Sequence, residues 1–271
     1  MRIIILPLLV SLYFCSCNPE KRDADIHYSK GLESHFVGDL VNARKEYLLT
    51  IRSDSNLWKG YYGMASVCEL EGDFKTSVFY FSKVIKLHPG NGLAFYYRSI
   101  LEELTGEDGK AAADLDQALS LKPDLLLALY SRGRMEYNKG KWKKAIADLG
   151  EVTAKRQDLS RAYYILGLSK YKIGDNAGAI KDFETYISLD ANDANVYLYM
   201  GLACQANNAP QQALVSFDNA IKVDSTFAMA YLYRGICNAK LNKTDDACKD
   251  LHIAERLGVL NAATYIEKYC H

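Results

Sequence analysis

Tyrosine returns every 34 residues along this chain, at Tyr28, Tyr62, Tyr96, Tyr130 and Tyr164, and Leu198 and Leu232 take the next two slots. A period of this length means one supersecondary unit copied in tandem. Each copy buries its apolar face against its neighbours because no copy can bury it alone. The ladder therefore constrains the fold, and it also sets seven side chains in one row.

With the ladder residue at position five of a 34-residue unit, seven units run from Ala24 to Asn261 without an insertion. Position eight is always small (Gly31, Ala65, Ser99, Gly133, Gly167, Gly201, Gly235), and so is position twenty (Ala43, Ser77, Ala111, Ala145, Ala179, Ala213, Ala247). Small residues at these places let two antiparallel helices approach closely. Position twenty-four is large and apolar (Tyr47, Phe81, Leu115, Leu149, Phe183, Phe217, Leu251), as filling between repeats requires. Position fifteen reads Gly38, Gly72, Gly106, Gly140, Gly174, Asn208, Asn242, the two residue types that best tolerate a left-handed backbone just past a helix end. Pro89 and Pro123, 34 apart, mark breaks between units.

This pattern resembles the tetratricopeptide repeat, a 34-residue helix-turn-helix unit with small residues at positions eight, twenty and twenty-seven. Position twenty-seven is the loosest match: Ala118, Ala220 and Ala254 fit, whereas Thr50, Val84, Val152 and Tyr186 do not. The resemblance implies an all-α, right-handed superhelical solenoid of seven repeats, bounded at 24–57, 58–91, 92–125, 126–159, 160–193, 194–227 and 228–261. Residues 262–271 begin an eighth unit through Tyr265 and then stop, as a capping helix over the last apolar face would.

In that family the first helix of each unit lines a concave surface through positions two, five, nine, twelve and thirteen. Carried over, the groove would hold the ladder, Tyr28, Tyr62, Tyr96, Tyr130, Tyr164, Leu198 and Leu232, together with Arg134, Tyr137, Arg161, Tyr171 and Lys172. Arg134, Arg161 and Lys172 are expected to form a basic aromatic patch, with a nearly uncharged apolar end beyond it. A peptide with a carboxylate or acidic stretch beside hydrophobic anchors would suit both. Tyrosine offers rigid area with a polar tip, which suits a binding surface. Tyrosine is also common at position five in the family consensus, so packing alone is the alternative for the ladder.

The first residues read as a targeting segment. Met1-Arg2 is a short basic start, and the apolar stretch Ile3 to Phe14 is too short to span a bilayer, which takes roughly 20 residues. Ser16-Cys17 then resembles the lipobox junction of bacterial lipoproteins, although Phe14 and Cys15 replace its usual leucine and small residue. This implies a signal peptide over 1–16, a lipidated Cys17 and a short linker over 17–23. Asn18 in place of aspartate favours the outer membrane of a Gram-negative cell envelope. An ordinary secretory signal cut nearby is the alternative.

Beyond the leader, Cys68, Cys204, Cys237, Cys248 and Cys270 remain, an odd number that leaves at least one thiol free. Cys248 falls on the second helix of the seventh unit and Cys270 in the cap. They are expected to approach, so that a disulfide, which needs Cα atoms within about 7 Å, could staple the cap. Three buried thiols, Cys237 included, are the alternative.

The balance of 33 basic and 33 acidic side chains gives no bulk field for nucleic acid. No phosphate loop, dinucleotide fingerprint, HExxH or nucleophile elbow occurs. His27, His35, His88, His252 and His271 stand at no metal-ligand spacing, and the Asp190–Asn195 run lacks the glycine and glutamate of a calcium loop. The expectation is a non-enzymatic, lipid-anchored adaptor that binds a protein or peptide, without cofactor, metal, nucleic acid or small-molecule substrate. The alternative is a scaffold lipoprotein for outer-membrane or pilus assembly, working through its convex face or edges.

Overall fold

The computed structural model describes residues 19–270, and among them every regular element is an α-helix. The leader and Cys17 lie outside the described residues. The helices come as seven antiparallel pairs: α1 (Pro19–Phe36) with α2 (Leu40–Ser53), α3 (Trp58–Leu70) with α4 (Phe74–Leu87), α5 (Gly92–Leu104) with α6 (Asp108–Leu121), α7 (Leu126–Asn138) with α8 (Trp142–Lys155), α9 (Ser160–Lys172) with α10 (Asn176–Leu189), α11 (Ala194–Ala206) with α12 (Pro210–Val223), and α13 (Ala228–Lys240) with α14 (Thr244–Arg256). A short α15 (Ala262–Tyr269) follows. No described helix is long and apolar enough to cross a membrane. The chain divides into two compact units, Met1–Pro123 and Asp124–His271.

One turn closes every pair. At position fifteen Gly38, Gly72, Gly106, Gly140 and Gly174 have φ between 72° and 84°, and Asn208 and Asn242 have φ of 57° and 60°. These two asparagines are the only described non-glycine residues with positive φ. The left-handed residue lets the next backbone N–H turn back to a carbonyl five residues earlier. That bond is 2.8 Å for Asp39 to Ser34, 2.9 Å for Asp73 to Cys68, and 2.9 Å for Ala209 to Cys204. It satisfies a carbonyl that the helix end would otherwise leave without a partner. Asp39, Asp73 and Asp175 then cap the following helix by accepting from the N–H of Asn42, Thr76 and Gly178.

Positions eight and twenty-four are one contact. A Cβ built on Gly201 would lie 2.4 Å from the Phe217 ring, and one on Gly167 would lie 2.7 Å from that of Phe183. Both rings are fully buried. The large side chain thus sits on the small residue of its own pair and also reaches the next repeat. Phe81 stacks on Tyr97 at 5.9 Å, and Phe217 stacks on Tyr233 at 6.2 Å.

Buried charge follows the same period. At positions seven and twenty-three, Arg98 grips Asp114 through Nε (2.6 Å) and Nη2 (2.8 Å). Arg132 holds Asp148 at 2.8 Å twice, and Arg234 holds Asp250 at 2.8 and 2.6 Å. Where position seven is Leu166, Asp182 takes its cation from Lys170, 2.7 Å away and one turn further along α9. Burial pushes the Asp182 carboxyl upward, and the Lys170 ammonium opposes that shift. Where position seven is Met200, position twenty-three is Ser216 and no pair is needed. Arg98 and Arg234 also donate from Nη1 to the preceding repeat, to Ser82 Oγ (2.9 Å) and Asp218 (2.6 Å). Each arginine therefore ties three helices.

At the C-terminal end, Cys248 of α14 and Cys270 form a disulfide with Cα atoms 5.5 Å apart. Cys68, Cys204 and Cys237 are free and buried. An eight-residue helix is too short to be stable alone. α15 is held by the bond and by Ala262, Tyr265, Ile266 and Tyr269, which pack on Leu232, Ile236, Leu251 and Ala254.

Asp250 is almost fully buried, so removing its partner leaves an unpaired buried charge. Arg234→Leu is expected to destabilise by about 3–5 kcal/mol, and adding Asp250→Leu should recover most of that loss. Urea unfolding of the two variants and the parent checks it.

Candidate interaction surface

The first helix of each pair carries the ladder, and its tyrosines sit half-buried between repeats. In the first unit, Tyr28 lies 6.1 Å from Tyr47 with Lys59 Nζ 5.7 Å above its ring. Tyr62 meets Trp58, Phe81 and Tyr97 edge-on at 6.1, 5.4 and 6.2 Å. Tyr96 lies 5.2 Å from Tyr97. In the second unit, Tyr130 is half-buried, and Tyr164 packs against Phe183, Tyr186 and Tyr199 at 6.4, 5.8 and 6.3 Å. Packing and exposure are therefore combined in one residue type. The rings fill the seams, and the residues keep part of their surface in solvent.

The second unit gathers more tyrosine than the ladder accounts for. Burial raises the Tyr137, Tyr164 and Tyr171 phenols above the ordinary range, and Tyr199 adds to the shift at all three. Tyr233 does the same at Tyr171. Ionising any of these would place an anion in a low-dielectric cluster of other phenols. Tyr199 and Tyr233 were not among the residues singled out from the sequence, yet they carried a signal: they are 34 apart at position six, in register with Tyr97.

Leu198 and Leu232 do not line this surface. They are 6% and 1% exposed and belong to the core, Leu198 with Ala213, Phe217 and Cys237, and Leu232 with Leu251, Ala254 and Ala262. A leucine at position five ends inside the packing, whereas a tyrosine extends far enough to reach its rim. Of the expected apolar end of the groove, these two leucines are therefore core. In the first unit, strongly exposed apolar side chains recur at Phe36 (93%), Leu70 (62%) and Leu104 (62%), whereas in the second unit Leu260 (97%) stands outside the helix face.

The basic trio is not one patch either. Arg161 lies in the first turn of α9, beside Tyr186, and Lys172 is the last residue of the same helix. Eleven residues of helix separate the two by about 16 Å. Arg134 is half-buried on α7. Exposed Lys139, Lys172, Lys240 and Lys243 instead mark the turn ends of α7, α9 and α13. Lys139 and Lys243 belong to the turns rather than to the helix face read from the sequence.

Two hollows elsewhere in the second unit are not lined by these tyrosines. One, of about 340 Å³, is lined by Gln205, Asn208, Pro210, Cys237, Lys240 and Leu241. The other, of about 310 Å³, lies over the ion pairs of Arg234 with Asp218 and Asp250. Among the described residues, no group of three or more His, Cys, Asp or Glu side chains is placed to hold a metal ion.

Helix pairs of this length, with small seats at positions eight and twenty and a left-handed residue at fifteen, define a helical repeat protein. The tetratricopeptide-repeat model matches residues 109–160 and 130–195. Solved structures carry the likeness further. YrrB, a tetratricopeptide repeat protein with an unusual peptide-binding site, superposes with a TM-score of 0.64 at 21% identity, covering 69% of this chain and 97% of that one. A tetratricopeptide repeat protein from Parabacteroides merdae gives a TM-score of 0.58 at 17% identity over 92% of this chain and 100% of its own. MamA gives 0.57 at 23% identity over 63% and 93%. No curated protein sequence matches the chain. The fold is thus that of tetratricopeptide repeats.

Leu198→Ser places a hydroxyl in the core and is expected to lower stability by about 2–5 kcal/mol, the cost of truncating a buried leucine. Tyr171→Ser, at the half-exposed surface, should cost clearly less. Thermal melts of the two variants followed by circular dichroism check the contrast.

Proposed function

We propose that this chain is a membrane-anchored adaptor with no enzymatic activity, which captures a partner protein or peptide on the first-helix face of its second unit. The observation that carries this reading is the cluster of half-buried tyrosines, Tyr137, Tyr164, Tyr171, Tyr199 and Tyr233. Tyrosine provides large contact area at small entropic cost and is enriched where binding energy concentrates. Lysines at the turn ends of the same helices favour a partner with acidic residues beside its apolar anchors. The repeat fold is consistent with an interaction role, and YrrB, with the same fold, has a peptide-binding site. Fold alone does not choose a partner, so the tyrosine face is what makes the proposal specific.

The anchor in this proposal is Cys17, lipidated after removal of residues 1–16 and holding the chain at the outer membrane. It is supported by the apolar leader and the Ser16-Cys17 junction. Acyl chains on one cysteine would suffice, since each buried methylene contributes about 0.8 kcal/mol.

Tyr137→Ser with Tyr171→Ser should lower partner recovery in a pull-down from the native membrane fraction at least tenfold while the circular dichroism spectrum is kept. Unchanged recovery would remove the assignment of this face. Separately, Cys17→Ser should move the chain out of the detergent phase in Triton X-114 partitioning and abolish palmitate labelling. A chain that still labels is anchored elsewhere.

A further inference from the structure

Phe36, Leu70 and Leu104 are 34 residues apart, at position thirteen of the first three repeats, and each is the last residue of its helix, α1, α3 and α5. Repeats stacked at a fixed period bring equivalent positions into line. At 93%, 62% and 62% exposure they form an apolar row along the turn edge of the first unit, extended by Val37 at 76%. The same position in the second unit is Asn138, Lys172, Ala206 and Lys240, so the row belongs to the first unit alone.

Acids predominate beside the row. Positions twelve, fourteen and sixteen contribute Glu69 and Glu103, then Glu71, then Asp39, Asp73 and Glu107. Arg44 pairs with Glu71 and Lys110 with Glu107, which leaves acids in excess. The Asn42 N–H at Asp39, and the Thr76 side chain and then its N–H at Asp73, hold these carboxyls below the usual range, so both are ionised at neutral pH. The helix ends add to this. A C-terminus presents partial negative charge, and neither α3 nor α5 has a basic residue in its last turn. In the second unit, by contrast, Lys170 and Lys172 end α9, and Lys240 ends α13.

The geometry points to a second docking surface, for a basic amphipathic helix that lays its apolar face along Phe36, Leu70 and Leu104 and its lysines or arginines against the flanking acids. This rests on the adaptor reading but uses the opposite charge and a different unit from the tyrosine face.

The test uses the full chain and two fluorescent helical peptides of leucine and lysine, one as such and one with glutamate in place of every lysine. Fluorescence anisotropy should show the lysine peptide binding at least tenfold more tightly, with affinity falling as salt rises. Leu70→Ser with Leu104→Ser should weaken it at least tenfold, and Glu71→Gln with Glu107→Gln should flatten its salt dependence. Both pairs are exposed, and unchanged melting temperatures would confirm intact folds. Equal binding of the two peptides, or indifference to the row variants, overturns the proposal. Sedimentation showing a concentration-dependent dimer that the row variants abolish also overturns it, by assigning the row to a second copy. Tyr137→Ser with Tyr171→Ser should leave peptide binding intact. Failure of the lysine peptide to bind, with partner capture by the tyrosine face preserved, would refute this surface and not the adaptor reading.

Discussion

Everything in this chain hangs on the seating of one large side chain on one small residue within each helix pair. Where Phe217 lies on Gly201 or Phe183 on Gly167, there is no room for even a methyl group between them. That contact sets how closely two helices approach. It therefore also sets where the rest of the first helix points. Because the same ring reaches the following repeat, as Phe81 does to Tyr97, one contact controls both the pair and the stack. Close packing of this kind transmits small changes in volume, which explains why positions eight and twenty-four vary so little in character along the chain.

The buried ion pairs are a second layer on that frame. Pairing Arg98 with Asp114 or Arg234 with Asp250 offsets much of the cost of taking both charges out of water. The fifth repeat shows that the requirement is electrostatic rather than positional. Asp182 keeps a cation although position seven has become Leu166, because Lys170 supplies it from one turn away. Serine at 216 opposite Met200 removes the requirement altogether. Within the repeats from the third onward, the acid at position twenty-three is thus present when a first-helix cation can meet it.

The two units use one scaffold for different surfaces. In the first, helix ends carry exposed Phe36, Leu70 and Leu104 among acids; in the second, tyrosines gather and lysines occupy the helix ends. Phenols are uncharged at physiological pH, so the chemistry of the tyrosine face is area and hydrogen bonding, with the lysines supplying the long-range field.

Much of the fold was legible in the sequence because backbone constraints leave residue signatures. A left-handed turn demands glycine or asparagine, and a close helix contact demands a small residue, so Gly38 or Asn208 and Gly201 announce their places. The site was less legible. Position five alone does not say whether a side chain reaches solvent, and Leu198 and Leu232 prove to be core. Helical spacing already contained the separation of Arg161 from Lys172, since eleven residues put them at opposite ends of one helix. Tyr199 and Tyr233 were missed although their period was present, because position six was not expected to face the ladder. By itself the sequence determined the repeat, its turns and its small seats, since those depend on local backbone sterics. Only the tertiary structure decided which side chains are exposed and which cations meet which acids. Exposure and pairing depend on the neighbouring helix, and a period counted along one chain does not contain that neighbour.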